Sequence, residues 1–509
     1  MKLLKDLKVP LDADISDIIK KQIPTFSSFR VIKKSVDARK RHAIHEVYTV
    51  EVYMPGETPQ DHDFPVSRIN FKGNKPIIIG GGPAGLFCAL RLIERGIPCI
   101  VIERGSPTEK RIFKINRFWR YGEFDPEDNV CFGEGGAGFF SDGKLITRIK
   151  SDYIPYVMHR LVKFGAPEEI QYLSNPHVGS DKIRRIMPKM RKHLQENGCE
   201  ILFNTKVTGL IHTNDRVTGV KISDGTEYHS DHVVLATGHS ASDMLEHLNE
   251  IGVKLEGKSF AMGLRVEHPQ KFVNEVQYRT FAEHPKLKSA NYKLVYNTDD
   301  GIGVYSFCMC PGGYVLSSGT EADGIVCNGM SNYNRNGQFA NSAIVVTIDH
   351  KKLFGDDLFG GMKLRRSLEK KCFDEIQKQG GTKEIPVQTT MDFMKGQKGK
   401  ALLTSSPSGV LPVNFHEILP EYMIEPLKEG LKNFDSKMPG FISQESQLHG
   451  IESRTSCPLR VPRDKETYVS ISHKGLYPAG EGAGYAGGIT SAAVDGIRIA
   501  ESIASNYKS

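Results

Sequence analysis

The sequence predicts an α/β protein built on a parallel sheet, with a mixed α+β segment inserted and a small α+β piece in front. Three observations carry this reading. From Lys75 a short β run, a glycine turn, an amphipathic helix and a second β run follow one another (KPIIIGGGPAGLFCALRLIERGIPCIVIERG). Between Glu200 and Gly238 short strands alternate with turns at Asn214-Asp215 and Asp224-Gly225, then return into an apolar strand, Val233 to Ala236. A further strand, glycine loop and helix close the pattern at 476–505.

The 509 residues suffice for two to four domains, at roughly 100–200 residues each. A charged fraction of 25% excludes a largely disordered chain. Lys+Arg 67 against Asp+Glu 60 leaves +7, weaker than the clustered excess of chains built to bind nucleic acid. The opening MKLLKDLKVPLDADIS breaks every apolar run with charge, so no secretory signal is expected. The apolar runs, such as Ile77 to Ile79 and Pro98 to Ile102, are far too short to span a membrane. Nine cysteines without a C-x-x-C pair indicate neither a disulfide framework nor a structural metal. The expectation is a soluble, metal-free protein of a reducing cytoplasm.

Residues 1–72 precede the first strong motif. A helix is expected near Ile15–Ile23, strands over Phe29–Val36 and Ile44–Tyr53, and a linker over 55–63, giving a small ferredoxin-like α+β domain. The cluster Lys33-Lys34 and Arg39-Lys40-Arg41 reads as a solvated hairpin face, because no aromatic platform for RNA accompanies it. Residues 73–245 form the first part of a Rossmann-like domain. Residues 246–450 form an inserted substrate domain, and 451–509 return to complete the first.

Gly80, Gly82 and Gly85 give the G-x-G-x-x-G spacing directly after a strand and at the opening of a helix. Gly80 suits the tight turn, Gly82 the approach of a pyrophosphate, and Gly85 the packing of helix on strand. Pro83 and Ala84 lie at the helix N-terminus, whose free N–H groups attract phosphate. Glu103, 18 residues after Gly85, ends the second strand where a carboxylate receives ribose hydroxyls, and it speaks against a 2′-phosphate. Arg104 follows it.

The far end selects among dinucleotides. Gly480-Glu481 ends a strand, and Gly487-Gly488-Ile489 leads into a helix predicted from Ser491 to Ile503. A nicotinamide has no need of this second loop. A flavin does, because its ribityl chain and ring extend beyond the ADP half. Glu481 is placed to bond a ribityl hydroxyl, and the helix to aim its positive end at the ring's N1 and C2=O. FAD is therefore the expected cofactor. A third glycine-rich stretch, Gly133 to Lys144, offers Gly135, Gly136, Ser141 and Lys144 as another wall, and Thr237-Gly238 ends the returning strand.

These motifs resemble the glutathione-reductase-type FAD fold. More narrowly, GEGGAGFFSDGKL, AMGLRVEHPQ, YSFCMCPGGYV, CNGMSNYNR and GIESRTSCPLR resemble the uncharacterised FAD-dependent dehydrogenases, relatives of geranylgeranyl reductase-like flavoproteins. The resemblance spans nearly the whole chain. It implies FAD and an oxidoreductase activity but brings no substrate, and it adds Val207, whose backbone would meet the adenine. It also marks a departure: flavin disulfide reductases carry C-x4-C on the fingerprint helix, which here holds only Cys88.

Candidates for the chemistry are His177, either a proton carrier beside the flavin or a ring satisfying a loop carbonyl, and Arg265 and Arg454, either anion clamps or ion-pair partners. His239 is a weaker alternative, over the cofactor phosphates. Cys308 and Cys310, at i and i+2 on a strand, share a face, yet a disulfide between them would be strained. Buried, reduced thiols near the flavin are expected. The function expected is hydride transfer through FAD to a small-molecule substrate, with no separate NAD(P)H motif and the electron donor unassigned. The alternatives are a flavin monooxygenase, or a partner-binding or nucleic-acid-binding protein with structural FAD.

Overall fold

The computed structural model describes residues 1–40, 42–59 and 64–507. Arg41 of the basic cluster and 60–63 of the expected linker lie outside the described residues.

At the centre is a five-stranded parallel sheet. Its order is Leu476–Pro478, Val233–Leu235, Ile77–Ile79, Cys99–Ile102 and Cys199–Leu202. Strands this short stay in register because both faces are buried and alternation assigns each side chain. Ile78, Val101, Val234 and Tyr477 face the fingerprint helix, Pro83–Glu94, and the terminal helix, Ile489–Ser505. Ile77, Ile79, Ile102, Val233 and Leu235 face the antiparallel meander Val207–Thr213, Arg216–Ile222 and Glu227–His229. The two helices cross in contact at Gly496, where a Cβ would stand 2.0 Å from the Ala84 carbonyl oxygen. Gly80, at φ +108°, crosses the next strand so closely that a Cβ would lie 2.3 Å from the Ala236 oxygen.

The inserted segment forms a second core on a seven-stranded sheet, antiparallel except where Ile385–Thr389 pairs parallel with Val410–Pro412. Met262, Leu264, Val266, Ile344 and Val346 pack there against the helix Glu421–Lys437. The boundary expected at 450 falls inside Gln447–Glu452, which lies between Phe260–Pro269 and Ile385–Thr389. This strand is buried on both sides, so it reads as one continuous run with the domain it was assigned to leave.

In the N-terminal piece the helix Ile15–Gln22 and strands Ser28–Asp37 and His45–Tyr53 match the predicted positions. The strand Lys2–Pro10 is additional, and the sheet order places His45–Tyr53 in the middle. Three strands and one helix fall one strand and one helix short of the expected ferredoxin-like unit, because the described residues of 1–53 contain one helical segment and no second β-α pair. The basic face is partly neutralised from within. Lys34 pairs with Glu46 at 2.7 Å and Arg39 with Asp37 at 2.7 Å. Among the described residues no helix is long and apolar enough to cross a membrane, and no cluster of His, Cys, Asp and Glu could hold a metal.

The second core encloses His268 among the rings of Phe272, Tyr292 and Phe441. Its Nε2 lies 2.9 Å from the Tyr292 hydroxyl, and Nδ1 has no partner. Burial pushes its pKa down to about 3, against about 6.5 in an unfolded chain. A histidine depressed on folding contributes stability that is whole above about pH 6.5 and is lost as pH falls toward its folded value, at about 1.4 kcal/mol per unit. His268→Phe should flatten the acid limb of the stability curve by about that slope. Urea melts between about pH 7 and pH 4.5 read it, and parallel curves for the two proteins would exclude His268 as the source.

Candidate functional site

The carboxyl ends of the central strands open on one cavity of about 410 Å³, within the usual range for a ligand pocket. Four connections reach it: Ile79 into Gly80, Ile102 into Glu103, Ala236 into Thr237, and Ala479 into Gly480. This is the edge where open α/β sheets collect ligands.

Both helix N-termini aim at this space. The fingerprint helix starts after Gly82 and the terminal helix after Gly488, and neither N-cap supplies a side chain to its first N–H groups. Those donors face a cavity lined by Gly82, Pro83, Ala84, Gly488 and Ile489. The third wall lies against the first: Gly136, at φ +59°, approaches so closely that its Cβ would stand 3.1 Å from the Cα of Gly82. Thr490 holds the terminal helix to this wall by donating to the Leu145 carbonyl at 2.7 Å.

Of the expected cofactor residues, Gly80, Gly82, Pro83, Ala84, Glu103, Arg104, Gly136, Ser141, Lys144, Val207, Thr237, Gly238, Gly480, Glu481, Gly487, Gly488 and Ile489 line the cavity. Gly85 and Gly135 do not. Gly85 sits against the turn, where a Cβ would be 2.0 Å from the Gly80 oxygen, and Gly135 faces Phe139 and Met187. Glu103 accepts from the N–H groups of Gly81 at 2.6 Å, Gly105 at 2.9 Å and Gly133 at 2.9 Å, so one carboxylate joins the turn to the third wall. Arg104 is held by Asp243 at 3.1 Å and by Glu127, over the Phe132 ring. The Ser141 hydroxyl donates to the Gly138 carbonyl at 2.8 Å and accepts from the Gly143 N–H. Glu481 accepts from the Cys457 N–H at 3.0 Å, and burial raises its pKa.

The catalytic candidates separate. His177 lies behind the wall, its backbone bridged to Lys144 and its Nε2 2.8 Å from the Tyr333 carbonyl. Burial and then the Arg335 charge push its pKa down to about 4, so it is neutral near pH 7. Of the two readings of His177 the loop-satisfying one holds, because the residue does not line the cavity and its ring bonds the Tyr333 carbonyl. Arg265, wholly buried, also lies behind the lining. Its Nε pairs with Glu452 at 2.8 Å and its Nη1 bonds Asn341 at 2.8 Å and the Cys308 carbonyl at 3.3 Å. Arg454 does line the cavity, but Glu369 takes its Nε and Nη2, Glu321 its Nη2 and Thr320 its Nη1. The clamp expectation is therefore corrected for both arginines: Glu452 and Asn341 hold Arg265 behind the lining and leave only its Nη2 without a partner, and Glu369, Glu321 and Thr320 take every nitrogen of Arg454. His239 lines the cavity with Nδ1 on the Ser240 hydroxyl, and burial followed by the Arg365 and Arg454 charges pushes it down to about 3.

Sequence reasoning missed three groups. Arg111, wholly buried, donates to the carbonyls of Asn129, Val130, Glu134 and Gly136 and so fixes the third wall from behind. Asp142 bonds Arg335 at 2.9 Å and stands 3.6 Å from the Lys144 ammonium. Burial alone would lower Lys144, but Asp142 together with the Cys308 and Cys310 thiols outweighs it and raises its pKa. Glu452, the partner of Arg265, reaches the cavity from the large sheet. Asp142 and Glu452 lay inside segments already singled out; Arg111 carries no local signal.

Fold and cavity define a dinucleotide-binding flavoprotein. Residues 75–114 match the FAD binding domain family and 169–266 the pyridine nucleotide-disulphide oxidoreductase family. The donors, glycine approaches and strand-end carboxylates fit FAD, and FAD is the cofactor. Residues 259–455 match the family described as FAD-dependent protein, C-terminal domain-like, and 1–53 match a domain of unknown function. The chain belongs to the same family as an uncharacterised protein of Clostridium beijerinckii. The two are 39% identical over 531 aligned positions, 99% of this chain and 98% of the other.

Among solved structures it is similar to the flavin-dependent brominase Bmp2 (14% identity, 86% of this chain and 80% of that one, TM-score 0.38). It is also similar to the glycerol-3-phosphate dehydrogenase of Bacillus halodurans complexed with FAD (12% identity, 84% and 65%, TM-score 0.35). At these scores neither overlap bears on substrate or reaction.

Proposed function

We propose that the protein is an FAD-dependent dehydrogenase or reductase of the cytoplasm, with a glutathione-reductase-type, geranylgeranyl reductase-like arrangement, acting on a small-molecule substrate. The observation that carries this reading is the convergence of two uncapped helix N-termini and two strand-end carboxylates, Glu103 and Glu481, on one cavity. When bound, FAD supplies two-electron chemistry by accepting or giving a hydride. The chain's own residues do the rest. The Gly82 end offers N–H groups to the pyrophosphate, Glu103 a carboxylate to the ribose, and Glu481 one to the ribityl chain. The Gly488 end would place positive potential beside the flavin ring, and Val207 and Thr237-Gly238 would offer backbone to the adenine side and the phosphates. Lys144, held charged beside Asp142, positions negative substrate groups.

The purified protein should be yellow and release FAD, not FMN, on denaturation. Gly488→Val is the sharper test. Gly488 has extended backbone, φ −160°, that valine adopts, and its Cβ would meet no protein atom nearer than the Ser491 hydroxyl at 3.6 Å. The apoprotein should therefore fold with a melting temperature near wild type. FAD affinity should fall at least about tenfold, which is about 1.4 kcal/mol. Full occupancy with an unchanged flavin potential would mean that this helix does not face the ring. A metabolite screen for bleaching of the flavin spectrum then reads the substrate, and oxygen-dependent product formation would mark a monooxygenase instead.

A further inference from the structure

The strand Gly303–Cys310 does not run regularly to its end. Phe307 pairs with Ala343 but Cys310 with Asn341, so Cys308-Met309 contains one extra residue, and Cys308 has a left-handed φ of 47°. A β-bulge abolishes the simple alternation by which residues i and i+2 share a face, and it re-aims side chains. Here Cys308 lines the FAD cavity while Cys310 is fully buried behind it. The packing role expected for both thiols fits Cys310 alone.

Two cations flank the pair, Lys144 and Arg265, each beside a carboxylate, Asp142 and Glu452. The Lys144 ammonium donates to the Met309 carbonyl between them. The Arg265 guanidinium donates to the Cys308 carbonyl at 3.3 Å, and its wholly buried Nη2 has no partner. An unpartnered buried guanidinium N–H calls for negative charge. Cys310 donates to the Cys308 carbonyl at 3.2 Å, so the second thiol is folded back onto the first.

We propose that Cys308 and Cys310 form a dithiol–disulfide couple in the cavity wall that reduces small disulfides, with Cys308 attacking and Cys310 resolving. The Cys308 sulfur, as thiolate, forms a bond to one sulfur of the substrate disulfide, and the S–S bond breaks to release the first thiolate. Cys310 then loses its proton to the medium and attacks the Cys308 sulfur, releasing the second thiolate. The two thiol protons end on the two released thiols. The protein is oxidised by two electrons and the substrate reduced by two. Return to the dithiol takes two electrons and two protons from a dithiol reductant, or, resting on the function proposed above, from the bound cofactor once its own donor has reduced it. A hydrogen bond from Cys310, and then the Lys144 and Arg265 charges, lower the Cys308 pKa against its burial, which favours attack from the thiolate. Strain in so small a ring suits a labile, working disulfide rather than a structural one.

The test uses dithiodipyridine, a small neutral disulfide that releases a coloured thiopyridone. The background is the full chain as purified carrying Cys131→Ser, since Cys131 also lines the cavity. At about pH 6, where ordinary thiols react slowly, a fast phase should release two equivalents of thiopyridone. The product should be lighter by two hydrogens, with peptides linked through Cys308 and Cys310. Adding Cys310→Ser should leave one equivalent and a stable adduct on Cys308; adding Cys308→Ser should abolish the fast phase. A lasting adduct on Cys308 beside reduced Cys310 would overturn the proposal, as would a fast phase that survives Cys308→Ser. Peptide mapping needs neither substitution in the couple, so it decides the matter even if those variants fail to fold. None of these readings depends on flavin chemistry, so they fail or succeed separately from the function proposed above.

Discussion

Arg111→Met should cost more than about 3 kcal/mol of stability and release the cofactor. The guanidinium is wholly buried and reaches the carbonyls of Asn129, Val130, Glu134 and Gly136 at distances from 2.7 to 3.2 Å. Burial pushes its pKa down to about 10, which still leaves it charged near pH 7. Methionine is similar in length but supplies neither a donor nor the cation that lies over the rings of Phe139 and Phe140. Each abandoned carbonyl costs about 1–3 kcal/mol unless the loop opens to water. If it opens, Gly133 and Gly136 leave Glu103 and Gly82, and the cavity loses a wall. Lysine should not rescue it, since one ammonium cannot span the five carbonyls that the guanidinium reaches, Gly133 included. Urea melts and FAD titration by flavin fluorescence read the two effects. Wild-type affinity in a folded Arg111→Met protein would show that the third wall stands without this anchor.

Gly496→Ala should be nearly as damaging, although it adds one carbon in mid-helix, where alanine is normally the better residue by about 1 kcal/mol. The added Cβ would stand 2.0 Å from the Ala84 oxygen, 2.9 Å from its carbonyl carbon and 3.1 Å from the Cys88 nitrogen. All three are backbone atoms of the fingerprint helix, so no side chain can swing aside. The two helices must separate, and overpacking of this kind costs about 1–3 kcal/mol or more. Because Ala84 lines the cavity one residue into that helix, the separation should also displace the phosphate-binding end. The expected result is a lower melting temperature together with a loss of FAD affinity of more than about tenfold, or about 1.4 kcal/mol. A variant as stable as wild type would mean that the helix crossing can relax, and the close contact would then carry no weight.

Much of the nucleotide-binding half was legible because its signals are local. The strand, turn and helix from Ile77 to Glu94, the acid at Glu103, the meander, and the closing strand and helix each follow from residues within about twenty positions of one another. Local pattern failed where partners are distant. His177 read equally as a proton carrier or as a ring satisfying a loop carbonyl, and the Tyr333 carbonyl at its ring, 156 residues away, decided for the second. Arg454 read as an anion clamp or an ion-pair partner, and Glu369 and Glu321 made it the latter.

By itself the sequence determined the parallel sheet, the two glycine entries into helices and the kind of ligand they receive. Backbone conformation, strand period and helix N-termini are properties of short segments, and they survive in any context that folds. Only the tertiary structure decided which side chains are free. Gln447–Glu452 joined the middle of the large sheet, Arg111 locked the third wall, Asp142 found Arg335, and a single inserted residue turned Cys308 toward the cavity and left Cys310 behind it. Each outcome depends on desolvated charges and sheet register between segments far apart in the chain. There a partner's position fixes a residue's role, and no spacing along the chain encodes that position.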